Sequence, residues 1–133
     1  DAAVALPARE SSGAAGFDLA ASADVTIAPG TIALVPTGLI IKVPDGWFLG
    51  VFARSSTPLK RGLMVANGVG VIDSDYCGPD DEVKIQVLNF TQAAVHVKRG
   101  DRIAQGIFLK YAPPEWEEGP PSETTRGGFG STG

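Results

Sequence analysis

The sequence predicts an all-β chain, and three observations carry that prediction. Glycine supplies 17 and proline 10 of the 133 residues, a punctuation density that suits many turns between short elements. Apolar or β-branched runs of three to seven residues recur between those turns. Val83, Ile85 and Val87 alternate with Lys84 and Gln86, the period of two that marks a half-buried strand. Spacing of this kind belongs to a sandwich or barrel.

In chain order, the first run covers residues 31–35 and ends at Pro36-Thr37-Gly38; the second, 39–43, ends at Pro44-Asp45-Gly46; the third is 47–52. Runs 63–65 and 69–72 flank Asn67-Gly68, a dipeptide that suits the left-handed turn of a β-hairpin. The alternating strand at Val83 follows, then 94–97 and 103–109, giving eight strands. One segment differs. Ser56-Thr57-Pro58-Leu59-Lys60-Arg61-Gly62 offers a hydroxyl cap, a proline for the first turn and a closing glycine, the marks of one short helix. From Pro113 onward the apolar periodicity stops. The expected organisation is therefore a β core over residues 1–112 and a glycine-rich arm over 113–133, too polar to build a core and suited to a linker, a disordered arm or a ligand-ordered lid.

Composition removes several function classes. One cysteine, Cys77, excludes a disulfide framework and a cysteine-rich zinc site; one histidine, His96, excludes a histidine dyad. A formal charge of −4 argues against nucleic acid as a partner. No stretch approaches the roughly 20 apolar residues of a membrane helix, and the opening Asp1 with its small Ala/Val run carries no signal-peptide pattern. Chemistry must rest on carboxylates, hydroxyls, amides or an ion brought by the substrate.

Taken singly, the candidate residues each allow two readings. Arg54-Ser55-Ser56 before the helix suits a phosphate or serves as an N-cap with a surface arginine. Asp73 and Asp75, two apart on extended chain, share a face; one could act as a general base, or both are solvated acids at a strand end. Asn67 is a turn former or a ligand contact, and Tyr76 a rim aromatic or a binding surface. Asp101, Arg102 and Gln105 mark the start of the last strand. Asp80-Asp81-Glu82 reads as a solvated turn, its adjacent acids poorly placed to converge on a metal. Asn89-Phe90-Thr91 matches a glycosylation acceptor, without meaning unless the chain is secreted.

Their order is more specific than any one of them. Ala15-Gly16-Phe17-Asp18-Leu19, Arg54-Ser55-Ser56, Gly70-Val71-Ile72-Asp73-Ser74-Asp75-Tyr76-Cys77-Gly78, Gly100-Asp101-Arg102-Ile103-Ala104-Gln105 and Gly127-Gly128-Phe129-Gly130-Ser131-Thr132-Gly133 resemble the five ordered motifs of the trimeric dUTPase family, over nearly the whole chain. The resemblance implies a jelly-roll-like distorted β-barrel, a homotrimer with active sites at subunit interfaces, and cytoplasmic, Mg²⁺-dependent hydrolysis of dUTP to dUMP and pyrophosphate, which limits uracil in DNA and supplies dUMP for dTMP synthesis. Carried over by position, it implies Asp73 as the carboxylate that activates water and Tyr76 as the ring beneath deoxyribose. Asn67, Val71, Ile72 and Lys84 are implied at the uracil. Arg54, Ser55, Ser56 and Gln105 are implied at the phosphates, with Asp18 reaching Mg²⁺ through water. Phe129 is implied as the aromatic closing over the base, Gly128, Gly130 and Ser131 as a phosphate cradle, and Arg126 at the γ-phosphate.

Two departures stand out. The family's last motif reads Arg-Gly-x-Gly-Gly-Phe-Gly, whereas Arg126 directly precedes Gly127-Gly128-Phe129, a register shift of two residues. Pro79-Asp80-Asp81-Glu82 lengthens the turn after Gly78, expected to alter a loop rather than the chemistry. A dCTP deaminase-like relative and a non-catalytic regulatory module share the scaffold; Asp73, Tyr76 and the Phe129 arm together favour hydrolysis.

Overall fold

The computed structural model describes residues 3–131; Asp1, and the Thr132-Gly133 end of the last motif, lie outside the described residues. Among the described residues nine strands and one helix follow in order: β1 (Phe17–Ala20), β2 (Val25–Ile27), β3 (Ile32–Pro36), β4 (Trp47–Ala53), α1 (Ser56–Arg61), β5 (Leu63–Val65), β6 (Gly70–Ile72), β7 (Lys84–Asn89), β8 (Val95–Val97) and β9 (Arg102–Lys110). All pairings are antiparallel. They form a four-stranded sheet in the order β1-β9-β4-β6, a three-stranded sheet β3-β7-β5 and the pair β2-β8, the jelly-roll-like all-β arrangement that the sequence predicts.

Alternation builds the core. In β7, Ile85, Val87 and Asn89 are buried while Lys84 is exposed. Leu19, Ile27, Val35, Val51, Leu63, Val97 and Ile103 bring the other strands except β6 to the same interior, and partly buried Ile72 of β6 packs against it. Asn89 is the polar exception. It is fully buried, donates to the carbonyls of Ile27 and Ala93 at 2.9 and 2.8 Å, and accepts from the Thr91 backbone and hydroxyl. Its amide therefore cannot carry a glycan in the folded chain. Gly106 is required where β9 pairs with β1: its cross-strand partner is Phe17, and an added Cβ would lie 2.6 Å from that ring, closer than packed atoms approach.

Several expectations need correction. Strands β1 and β2 add to those expected, whereas 39–43 forms no strand; its alternation of half-buried and exposed residues persists, but its ladder is reduced to one bond, Val83 N–H to the Leu39 carbonyl at 2.8 Å. The runs flanking Asn67-Gly68 do not pair with each other. Strand β5 pairs with β7 and β6 with β4, and only Gly68 is left-handed, at φ 74°. The segment is a turn between two sheets, because each flanking run finds a longer partner than its neighbour. In α1 the cap also differs. Ser55 occupies the N-cap position without a side-chain bond, and Pro58 stands third in the helix rather than first. The hydroxyl that organises this end is that of fully buried Thr57, which accepts from Arg54 N–H at 2.9 Å and donates to the Ile103 carbonyl at 2.8 Å. Gly62 closes the helix at φ 66°, as expected.

Candidate active site

Strand β6 ends at Ile72 and releases the chain into the turn that carries Asp73. The Tyr76 N–H donates to the Asp73 carbonyl at 3.2 Å, turning the chain back so that acid and ring line one groove. That groove, of about 390 Å³, is lined by Leu34, Val71, Ile72, Asp73, Tyr76, Glu82 and Lys84. The Asp73 side chain is exposed and receives no hydrogen bond from any described residue, which leaves its carboxylate to water. Tyr76 is 39% exposed, and its hydroxyl donates to the Glu82 carbonyl at 3.1 Å. Among the described residues strand β6 pairs only with β4, so its other edge presents backbone donors and acceptors to whatever enters. Five expected residues thus share this groove: Val71, Ile72, Asp73, Tyr76 and Lys84. Asn67 does not line it; it is exposed in the turn before β6, its carbonyl accepting from Val69 N–H at 2.9 Å.

A second cluster lies on the other flank of β4. The β1-β9-β4 ladder sets Asp18 opposite Gln105 and Gln105 opposite Phe52. Asp18 accepts from Arg54 Nε at 2.9 Å with one oxygen and from Arg102 Nη1 at 3.1 Å with the other. Arg102 also pairs with Glu10. Arg54 Nη1 donates to the Arg102 carbonyl at 2.9 Å, which leaves its Nη2 without a partner among the described residues. Gln105 donates to the Ala53 carbonyl at 3.0 Å, holding the chain just before Arg54. Ser55 is exposed and Ser56 half-buried. Two guanidiniums and two carboxylates balance here, so an anion would meet directed N–H and hydroxyl donors rather than a net positive field.

The two groups are not adjacent within one chain. Ile72 pairs with Leu49, and Gln105 with Phe52; at about 3.3 Å per residue and about 4.8 Å per strand they stand roughly 14 Å apart, on opposite sides of β4. No hydrogen bond or ion pair among the described residues joins them. The arm stays apart from both. Residues 112–131 are exposed and carry no helix or strand. Gly128 and Ser131 close a turn, Ser131 N–H to the Gly128 carbonyl at 3.0 Å, with Phe129 at φ 48° and Gly130 at φ 85°. Phe129 at its tip is fully exposed, and Arg126 makes no ion pair among the described residues.

Arg102, Glu10, Leu34 and Glu82 join these groups without having been expected there. Arg102 was legible in principle, three residues before Gln105 in the same motif. Glu82 gave no signal, because its contribution to the groove includes a backbone carbonyl. Among the described residues, no three His, Cys, Asp or Glu side chains converge to hold a metal.

The comparisons with known proteins agree on one family. The dUTPase family profile matches residues 2–133. The chain is 41% identical over 136 residues to the deoxyuridine 5'-triphosphate nucleotidohydrolase of Lactococcus lactis, covering all of this chain and 91% of that one. The crystal structure of dUTPase from Streptococcus mutans superposes with a TM-score of 0.79 at 39% identity, covering 84% of this chain and 89% of that one. A dUTPase of Staphylococcus bacteriophage 80alpha, solved with dUpNHpp, shares the fold at a TM-score of 0.84 and 22% identity, covering 98% and 92%. With a full-length profile match and relatives above 40% identity, this chain belongs to the dUTPase family.

Proposed function

We propose that the chain hydrolyses dUTP to dUMP and pyrophosphate, with Asp73 as the base. The observation that carries this reading is the Asp73 groove, where an exposed carboxylate, an aromatic ring and an unpaired strand edge meet in a chain of this family. Asp73 takes the proton of a water whose oxygen attacks the α-phosphorus. The new P–O bond forms as the bond from that phosphorus to the β-bridging oxygen breaks, and pyrophosphate leaves in line. No covalent intermediate is needed; positioning and charge stabilisation suffice.

The β6 edge reads the base. Uracil and cytosine present opposite hydrogen-bond polarity at their 4-positions, so backbone groups of Val71 and Ile72, with Asn67 and Lys84, accept one and leave the other unpaired. Thymine is refused by its methyl group, and Tyr76 leaves no room for a 2′-hydroxyl. Arg54 Nη2, Ser55, Ser56 and Gln105 take phosphate oxygens. The arm brings Phe129 over the base, with Gly128, Gly130, Ser131 and Arg126 at the phosphates; residues 1–112 form the scaffold and 113–133 the closing arm.

The separation across β4 supports a site shared between subunits of a homotrimer, one supplying the Asp73 groove and another the Arg54 cluster. An outward apolar row on β3, β7 and β5, where Ile32 and Met64 each pair with Leu88, offers surface for such an assembly. The donor set fits Mg²⁺ brought on the triphosphate better than a protein-built cage, since both Asp18 oxygens already face arginines and leave room only for contact through water. When bound, the ion offsets phosphate charge. No described helix is long and apolar enough to cross a membrane, and a cytoplasmic nucleotide pool is the setting this reading implies.

Pyrophosphate release measured with dUTP, dTTP, dCTP and UTP in Mg²⁺ tests the proposal. The expected result is release from dUTP alone at useful rates. Deamination of dCTP without pyrophosphate release from dUTP would overturn it in favour of a deaminase.

A further inference from the structure

The lengthened turn after Gly78 does more than fill a loop. It folds on itself, the Asp81 carboxylate accepting Gly78 N–H at 2.8 Å and Asp81 N–H donating back to the Gly78 carbonyl at 3.1 Å. Glu82 then ties it to the segment after β3: Oε1 accepts Gly38 N–H at 2.8 Å. The next residue, fully buried Val83, donates its N–H to the Leu39 carbonyl and accepts the buried Thr37 hydroxyl. The peptide joining Glu82 to Val83 is thus pinned on one edge by Leu39, and on the other it receives the Tyr76 hydroxyl at 3.1 Å.

We propose that Glu82 is a positioning residue for sugar discrimination. Its carboxylate latch to Gly38 fixes the carbonyl that holds the Tyr76 hydroxyl, and so sets how closely the ring approaches the 2′ position of the nucleotide. A ring 39% exposed is not immobilised by packing. Its backbone end is set by the Asp73 turn, and its far end by Glu82; with the second anchor lost, the ring can swing about its side-chain torsions. Refusal of one extra hydroxyl by shape alone is modest, so it depends closely on where that ring stands. The carboxylate suits the task because a hydrogen bond to an ionised acceptor is stronger than one between neutral groups. This inference rests on the dUTP reading above.

The test compares kcat/KM for dUTP and UTP in the wild type and in Glu82→Ala, Glu82→Gln, Tyr76→Phe and the Glu82→Ala/Tyr76→Phe double variant. Glu82→Ala and Tyr76→Phe are each expected to raise the UTP-to-dUTP ratio about tenfold. The double variant should go no further than either, and Glu82→Gln, which keeps an acceptor oxygen, should hold the wild-type ratio. A lowered melting temperature with an unmoved ratio would mean that the latch is structural only, and would overturn the inference. Should Glu82→Ala fail to fold, Glu82→Met takes its place with the same expected rise and the same overturning result, because it keeps most of the side-chain volume and removes only the acceptor for Gly38 N–H, whereas Tyr76→Phe leaves that latch intact. A wild type that does not prefer dUTP to UTP would bring down the dUTP reading and the latch together; a wild type that discriminates, with variants that do so equally, brings down the latch alone.

Discussion

Asp73 and Tyr76 are joined by one backbone hydrogen bond, Tyr76 N–H to the Asp73 carbonyl at 3.2 Å. The carboxylate that faces water and the ring that bounds the groove are therefore placed by a single turn rather than by two independent elements. Asp73→Asn keeps that turn, since only the backbone makes it, and removes the basic oxygen. The expected outcome is a fall in kcat of about a hundred- to ten-thousand-fold, the usual contribution of a positioned base. Unfolding free energy should move by no more than about 0.5 kcal/mol, as for an exposed substitution. Pyrophosphate release and chemical denaturation check the two halves.

Much of this was legible in the sequence. Strand β7 stood out because its alternation of Ile85 and Val87 with Lys84 and Gln86 is the direct imprint of one buried face. Residues 39–43 carry the same imprint without a paired neighbour, since burial writes the pattern whether or not a ladder forms. Asn67-Gly68 promised a hairpin, but turn chemistry is local and strand pairing is not, and the sheets took β5 and β6 apart. At the site, Asp73 and Tyr76 fall within one motif and could be read together. The contact of Arg54 with Asp18 could not, because 36 residues separate them and only the β1-β9-β4 ladder sets them side by side.

Asn89 uses its whole amide in the core, two donors to Ile27 and Ala93 and an oxygen shared by the Thr91 amide and hydroxyl. Asn89→Leu would match the volume and strand both carbonyls. A loss of about 2–4 kcal/mol in unfolding free energy is expected, since a buried polar group left without its partner costs about 1–3 kcal/mol. Urea titration checks it; a change under about 0.5 kcal/mol would mean that water reaches these groups.

Asp101 links the β8–β9 turn to the end of α1. Its carboxylate accepts Lys98 N–H at 2.9 Å and the Arg61 guanidinium at 3.0 Å, and its pKa is lowered, chiefly by the Lys98 backbone bond; burial opposes this, and the hydrogen bond and charge of Arg61 with the charge of Lys98 add to the lowering. A carboxyl group depressed in the folded state contributes stability that is whole above the ordinary carboxylate value and is lost as pH falls through the depressed one. The stability gap between wild type and Asp101→Asn should thus be constant at neutral pH and close in acid. Its size should be on the order of 1 kcal/mol or less, because the pair is partly solvated. Melting curves from neutral to strongly acidic pH measure it, and a gap that widened in acid would contradict the sign.

The arm separates activity from folding. Residues 112–131 are exposed, and their hydrogen bonds run within the arm itself, as in the Gly128–Ser131 turn that presents Phe129. Residues 124–131 make no core contact among the described residues, so on deletion of 124–133 the melting temperature of the β core should hold. Turnover should not. If the arm closes over a bound nucleotide, its loss leaves the triphosphate loosely held, and misplacement of the reacting groups by about 1 Å is worth about a hundredfold in rate. The expected result is a fall of that order in kcat/KM for dUTP with unchanged thermal unfolding. Phe129→Trp gives the complementary measurement: its emission should shift when a non-hydrolysable dUTP analogue is added, beyond the change that the wild type, with Trp47 and with Trp116 on the arm, shows under the same addition. Full activity in the truncated chain, or an indole that never senses the analogue, would place catalysis wholly on the β core and remove the arm from the mechanism.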